Sequence, residues 1–119
     1  MSFREWRFRI EDILDSIFKI ERYTKDITFQ EFSSNELILD AVIRNFIIIG
    51  EAAHNVPQEI THSYPDIPWR LMGDLRNFVA HTYWGVNLQT IWDTIRDDLP
   101  PLIPRLQAIL KTEGDKPTQ

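Results

Sequence analysis

The first strong pattern in the chain is a three- and four-residue spacing of apolar side chains over residues 6–23. Its apolar members are Trp6, Ile10, Ile13, Leu14, Ile17 and Ile20. Charged residues fall mostly between them, so the segment predicts an amphipathic helix with one face in a core. Thr28 and Glu31 fit a capping box for a short helical turn, and Ser33 and Glu36 fit another before the next apolar run.

A second helix is predicted over about residues 35–55, and it is apolar around most of its circumference. Such a helix belongs at the centre of a bundle or in a dimer interface. One polar stripe remains, formed by Glu36, Asp40, Arg44, Ile47, Glu51 and His54. Its one-turn spacing favours acid–base pairs, either as an ion ladder or as support for a site. Gly50 lowers the stability of this helix by about 1 kcal/mol relative to Ala. A glycine at this position therefore predicts that another backbone approaches too closely to leave room for a side chain.

The rest of the chain predicts further helices joined by short connections. A short helix is expected at residues 58–63 and a third long helix at residues 69–83, which Gly85 stops. Asn87 is a natural N-cap for a fourth helix, and prolines at 100, 101 and 104 kink the chain before a last amphipathic segment. The fold class is therefore all-α, an antiparallel four- to five-helix bundle over residues 1–111, with a polar tail at residues 112–119.

Composition limits what such a bundle can do. The 119 residues contain 43% hydrophobic side chains, enough for one core, and no cysteine, so disulfides and thiolate metal sites are excluded. The net charge of −5 argues against a protein that coats nucleic acid, although a few converging Arg side chains can still bind RNA locally.

Cofactor and membrane signals are weak in this sequence. The longest nearly apolar stretch, residues 46–50, is far below the roughly 20 residues that cross a bilayer, and the first residues do not resemble a signal peptide. We therefore expect a cytoplasmic protein with no membrane partner. His54 and His62 lack further ligands at metal-binding spacing, so we expect neither a metal nor another cofactor.

The segment that could carry chemistry ends the third long helix. A helical projection places one set of residues towards the core: Pro68, Leu71, Met72, Leu75, Phe78, Val79 and Thr82. The opposite face holds Arg70, Gly73, Arg76, Asn77, Ala80, His81 and Trp84. Its small and polar members Gly73, Asn77 and Ala80 form a stripe along which a second copy of the helix could approach, giving an isologous homodimer.

Arg76 and His81 lie about 140° apart on an ideal helix, so within one subunit they do not converge unless the helix unwinds near Ala80. Across a two-fold axis, two Arg and two His side chains would meet in one cleft. Such a cleft could supply the base, the acid and the positive charge that RNA cleavage without a metal requires. The alternative is that both residues are ordinary surface or packing residues, as single Arg and His side chains on helices commonly are.

The same segment resembles a known family. Arg76-x4-His81-x-Tyr83 resembles the Arg-x4-6-His signature of HEPN ribonucleases, in the form typical of HepT-like toxins. Four flanking segments have the order expected of that family: Ala41-Val42-Ile43-Arg44-Asn45, Ile49-Gly50-Glu51-Ala52-Ala53, Pro65-x-Ile67-Pro68-Trp69 and Trp92-x4-Asp97-x-Leu99-Pro100. The resemblance covers roughly residues 10–106.

The resemblance implies a HEPN bundle that forms a homodimer and cleaves RNA without a metal. Arg76 and His81 would be catalytic, with Asn77 in support. Independently of the resemblance, Arg44 and Glu51 could support the site from the polar stripe of the second helix, although a structural ion ladder is the more ordinary role for them. The implied antitoxin is an MntA-like nucleotidyltransferase that transfers AMP to Tyr83, a residue that could otherwise be a packing aromatic at a helix end. The alternative function is a non-catalytic helical module that binds a nucleotide or a protein partner.

Overall fold

The regular structure is entirely helical in the computed structural model, which describes residues 3–80 and 87–114. This confirms the predicted all-α class. The helices are α1 (Phe3–Thr24), α2 (Phe29–Ser34), α3 (Glu36–His54), α4 (Gln58–Ser63), α5 (Trp69–Ala80), α6 (Leu88–Asp93) and α7 (Leu102–Gly114). A π-helical turn, Thr94–Asp98, continues α6 towards α7.

Helix α3 occupies the centre of the bundle. It packs extensively against α5 on one side and α1 on the other, and α7 packs against α1. The side chains buried most completely come from every long helix and from the shorter segments between them: Phe32, Phe46, Ile10, Ile13, Ile17, Ile20, Ile49, Met72, Ile91, Ile95, Leu99 and Leu106. Because α3 has neighbours on two sides, its apolar surface extends around most of its circumference, as the sequence predicts.

The helix starts follow from local capping. Thr28 caps α2 through the predicted capping box: its hydroxyl accepts from Glu31 N at 3.1 Å, while Glu31 Oε1 accepts from Thr28 N at 3.2 Å. The second predicted box is wrong, because Asn35 rather than Ser33 caps α3. The Ser33 hydroxyl instead donates to the carbonyl of Gln30. The prediction for α6 is confirmed by the Asn87 side chain, which accepts from Gln89 N.

Arg96 ties the end of α1 to the segment after α6. Its Nη2 donates to the carbonyl oxygens of Thr24 and Ile27, at 2.7 and 3.1 Å. The guanidinium also lies 4.2 Å from the centre of the Trp92 ring, a cation–π contact. The first bond satisfies a carbonyl that the end of α1 leaves without a helical partner, and the second holds the connection between α1 and α2.

Helix α7 continues further than the sequence indicated. Residues 112–114 belong to it, and Glu113 is buried, where its Oε1 accepts a hydrogen bond from the Tyr64 hydroxyl at 2.7 Å. The polar tail therefore does not begin at residue 112. Arg7 adds a second tie by donating to the carbonyl of Leu110.

The face of α5 that is buried in the core is narrower than the face predicted from the sequence. Met72, Leu75 and Val79 are buried, but Leu71 is 53% exposed and Phe78 is half-buried. Leu71 instead lines a shallow groove between α5 and the α6 segment. Of the other two members of that face, Pro68 is half-buried and Thr82 lies outside the described residues.

None of the helices in the described part of the chain combines the length and the apolar character needed to cross a bilayer. The cytoplasmic location remains a prediction.

Candidate functional site

The site begins with a close approach between α3 and α5 at Gly50. A Cβ atom added to Gly50 would lie 2.9 Å from the backbone nitrogen of Arg76 and 3.0 Å from its Cβ. The carbonyl oxygen of Gly73 would be only 3.1 Å away. The predicted close approach at Gly50 is thus confirmed, and the neighbouring backbone is α5 of the same subunit.

This contact brings the Arg76 side chain directly against α3. Its Nη1 donates to Oε1 of Glu51 at 2.6 Å. The two side chains are 47% and 49% exposed, so the ion pair is open to solvent. The structure therefore joins two of the residues singled out from the sequence, Arg76 and Glu51, on one surface.

Two more basic groups act electrostatically on the Glu51 carboxylate. The pKa of Glu51 is lowered from its ordinary value, chiefly by the hydrogen bond and charge of Arg76, with smaller contributions from His54 and Arg9. These groups belong to α5, α3 and α1 respectively. The electrostatic environment of Glu51 is therefore locally basic, although the protein as a whole carries a net charge of −5.

The other predicted residues on this surface have different surroundings. Asn77 is exposed on α5, next to Arg76 in sequence. Arg44 is exposed on the same stripe of α3 as Glu51, two helical turns earlier. Within the described ranges, no atom beyond the adjacent residues and the nearby backbone of α5 lies within 4 Å of a Cβ added to Gly73, so its side-chain direction opens onto free space. An open path for a second helix at Gly73 is compatible with the predicted dimer, which stays a prediction.

His81 and Tyr83, the predicted second catalytic residue and the predicted AMP acceptor, lie outside the described residues. They follow directly on α5, whose last residue is Ala80. Among the described residues, no three His, Asp or Glu side chains come close enough to hold a metal ion.

The chemistry available here is the binding and stabilisation of negative charge. Arg76 has one N–H of Nη1 bonded to Glu51, and a guanidinium carries further donors in a planar fork that matches phosphate geometry. Sequence reasoning did not single out Arg9, because its relation to Glu51 depends on the packing of α1 on α3. No spacing rule within one helix could have revealed it.

Comparison with known proteins identifies the family. A family model described as "Ribonuclease HepT-like" matches residues 13–109. The chain belongs to the HepT-like ribonuclease family. This confirms the family resemblance that the sequence indicated.

Several relatives are similar over almost the whole chain. The "Probable ribonuclease HepT" of Thermococcus cleftensis is 37% identical over 102 residues, which cover 86% of this chain and 93% of the relative. A "Putative RNase" of Methanocaldococcus jannaschii is 36% identical over 116 residues, or 97% of this chain and 96% of the relative. Another "Putative RNase", from Caldanaerobacter subterraneus subsp. tengcongensis, is 36% identical over 105 residues, 87% of this chain and 93% of the relative. No solved structure gives a significant match.

Proposed function

We propose that this protein is an endoribonuclease that cleaves RNA without a metal ion, at a site formed by Arg76 and His81 of two subunits. The observation that carries the proposal is the placement of Arg76. It is exposed, bonded to Glu51, and first in the Arg-x4-His segment of a chain from the HepT-like ribonuclease family. Relatives of similar length that carry ribonuclease names support the same activity.

The proposed reaction is a transfer of the phosphoryl group within the RNA. One His81 accepts the proton of the 2′-hydroxyl, whose oxygen attacks the neighbouring phosphorus. His81 of the partner subunit donates a proton to the departing 5′-oxygen, and Arg76 stabilises the negative charge that builds up on the phosphorane. The products are a 2′,3′-cyclic phosphate and a 5′-hydroxyl. Histidine suits both roles because its ordinary pKa, about 6.5, lies near neutral pH.

We further propose that the protein is the toxin of a toxin–antitoxin pair. An MntA-like nucleotidyltransferase would transfer AMP from ATP to the hydroxyl of Tyr83, with release of pyrophosphate. Tyr83 follows Arg76 by seven residues, so a helix continued to that point would present both on one face. A bulky anionic group there would oppose the Arg76 charge and obstruct the approach of RNA.

The test of the ribonuclease is cleavage of a defined RNA by the purified protein and by Arg76→Ala and His81→Ala. Each variant should lose at least about 100-fold in rate, since each removes one catalytic group. Arg22→Ala and His62→Ala are matched controls, because both side chains are exposed on other helices. The cleaved ends should carry 2′,3′-cyclic phosphates, and EDTA should leave the rate unchanged.

Three outcomes would contradict the proposal. Full activity in Arg76→Ala would remove the proposed site. Activity that disappears in EDTA and returns with magnesium would exclude the mechanism without a metal. A folded protein that binds a nucleotidyltransferase but leaves RNA intact would instead be the non-catalytic binding module.

A further inference from the structure

We propose that Glu51 is a positioning residue. It holds the Arg76 guanidinium, where α5 packs on α3, in the orientation that the cleavage reaction requires. The inference rests on the proposed ribonuclease function and deepens it. It starts from the 2.6 Å bond between Arg76 Nη1 and Glu51 Oε1. Glu51 has no place in the proton transfers, so its effect must pass through Arg76.

The backbone already restricts where this Arg side chain can go. Because Gly50 has no Cβ, the nitrogen and Cβ of Arg76 lie directly against α3. Glu51 is the next residue along α3, and its carboxylate then meets the guanidinium at the other end of the side chain. The long side chain is therefore restrained at both ends, by packing at Gly50 and by a charge-assisted bond at Glu51.

A restraint of this kind matters because the Arg76 side chain is half exposed. An unrestrained surface Arg samples many rotamers, and it loses this conformational entropy when it adopts a single rotamer to bind the phosphate. The Glu51 bond orders the guanidinium beforehand and uses only one of its N–H donors. The remaining donors stay available for the phosphorane, whose stabilisation depends on donors that are already in place.

The arrangement also has an electrostatic cost. A carboxylate beside the RNA path repels phosphate, so Glu51 should weaken the binding of substrate while it speeds the chemical step. The two effects separate in kinetics. A residue that serves only folding would not produce such a split between kcat and KM.

The decisive experiment measures kcat and KM for RNA cleavage by wild type, Glu51→Ala and Glu51→Gln. We expect Glu51→Ala to lower kcat at least about tenfold, since small misplacements of catalytic groups have effects of this order, with KM unchanged or lower. Glu51→Gln keeps an oxygen that can accept the Arg76 hydrogen bond, so it should recover most of the kcat. Glu59→Ala on α4 is the matched control, because it removes an exposed Glu elsewhere.

An independent readout separates this proposal from the ribonuclease function. NMR of the Arg76 guanidinium should show hindered rotation in wild type, faster rotation in Glu51→Ala and intermediate rotation in Glu51→Gln, whether or not the protein cleaves RNA. Hindered rotation without cleavage in wild type would reject the ribonuclease alone. Equal guanidinium rotation in all three proteins, or a kcat that is unchanged or raised in Glu51→Ala, would overturn the positioning role.

Discussion

Arg76 of α5 occupies the space into which a side chain on Gly50 of α3 would have to grow. The backbone nitrogen of Arg76 lies 2.9 Å from the site of an added Cβ on Gly50. Real Cβ atoms essentially never come so close to another heavy atom, and here the neighbour is backbone, which cannot rotate away. The distance between α3 and α5 is thus set by the absence of a single methyl group.

The first prediction compares the effects on stability of replacing two glycines, Gly50 and Gly73, by alanine. Gly50→Ala should lower the free energy of unfolding by up to about 2 kcal/mol, because overpacking costs about 1–3 kcal/mol and alanine returns about 1 kcal/mol of helix propensity. Gly73→Ala meets nothing within 4 Å and should raise the stability of the folded subunit by up to about 1 kcal/mol. Urea unfolding measures both. A Gly50→Ala protein about 1 kcal/mol more stable than wild type would show that α5 can move away without cost, because only the gain in helix propensity would remain.

The second prediction concerns self-association. Gly73→Leu should leave the fold of a subunit intact, since its side chain would enter open space. A second helix approaching along Gly73 and Asn77 would be pushed away, so the proposed homodimer should weaken at least about tenfold, the effect of one or two unfavourable contacts. Sedimentation velocity over a range of concentrations measures this, with Gly73→Ala as the smaller control. An unaltered dimer would place the interface on another face.

The third prediction concerns the bond between Tyr64 and Glu113. Burial and the hydrogen bond to the Glu113 carboxylate raise the pKa of Tyr64 from 10.0 to about 12. The folded state therefore favours the neutral phenol, and this stabilisation is complete below pH 10 and is lost as the pH rises through about 12. At neutral pH, Tyr64→Phe should cost about 1–3 kcal/mol, because it leaves a buried carboxylate oxygen without this donor.

Unfolding in urea at pH 7 and between pH 9 and about 11.5 tests the Tyr64 bond. Tyr64→Phe should lose less stability than wild type as the pH rises. Tyr23→Phe on α1 is the matched control. Parallel pH profiles for wild type and Tyr64→Phe would mean that folding does not raise the pKa of Tyr64.

The fourth prediction concerns Tyr83. Incubation with an MntA-like nucleotidyltransferase and ATP should add AMP to Tyr83, which mass spectrometry of peptides would locate, and the modified protein should stop cleaving RNA while it remains folded. Tyr83→Phe should accept no AMP, whereas Tyr23→Phe should be modified like wild type. Neutralisation without AMP transfer would leave occlusion by the bound partner as the explanation.

Helix positions were predictable because their signals are local. The apolar spacing around Ile10 and Ile17, and the caps at Thr28 and Asn87, lie within a few residues of the structure they define. The start of α3 was harder to predict, since Ser33, Ser34 and Asn35 are all good caps. The choice depends on how α2 ends, where both serine hydroxyls turn back to the Gln30 carbonyl.

The packing of one helix on another was harder to predict from the sequence. A helical projection assigns half of α5 to the core, whereas the structure buries a narrower arc and exposes Leu71. The Arg76–Glu51 bond joins residues separated by 25 positions. It depends on the register of α5 along α3, which the packing at Gly50 fixes. The sequence indicated that Gly50 has a close neighbour but not which one.

The order in which the long helices pack has a consequence for folding kinetics. Helix α3 contacts α1 and α5, its nearest long neighbours along the chain, so most of this bundle can assemble from contacts of short sequence separation, which favours rapid folding. Helix α7 is the exception, because its docking on α1 joins Arg7 to Leu110 across 103 positions. Closure of that long loop carries the larger entropic cost, so α7 is expected to dock late. Until it does, the apolar surface of α1 that α7 covers stays exposed to water, and this period is when a newly made chain is most prone to aggregate.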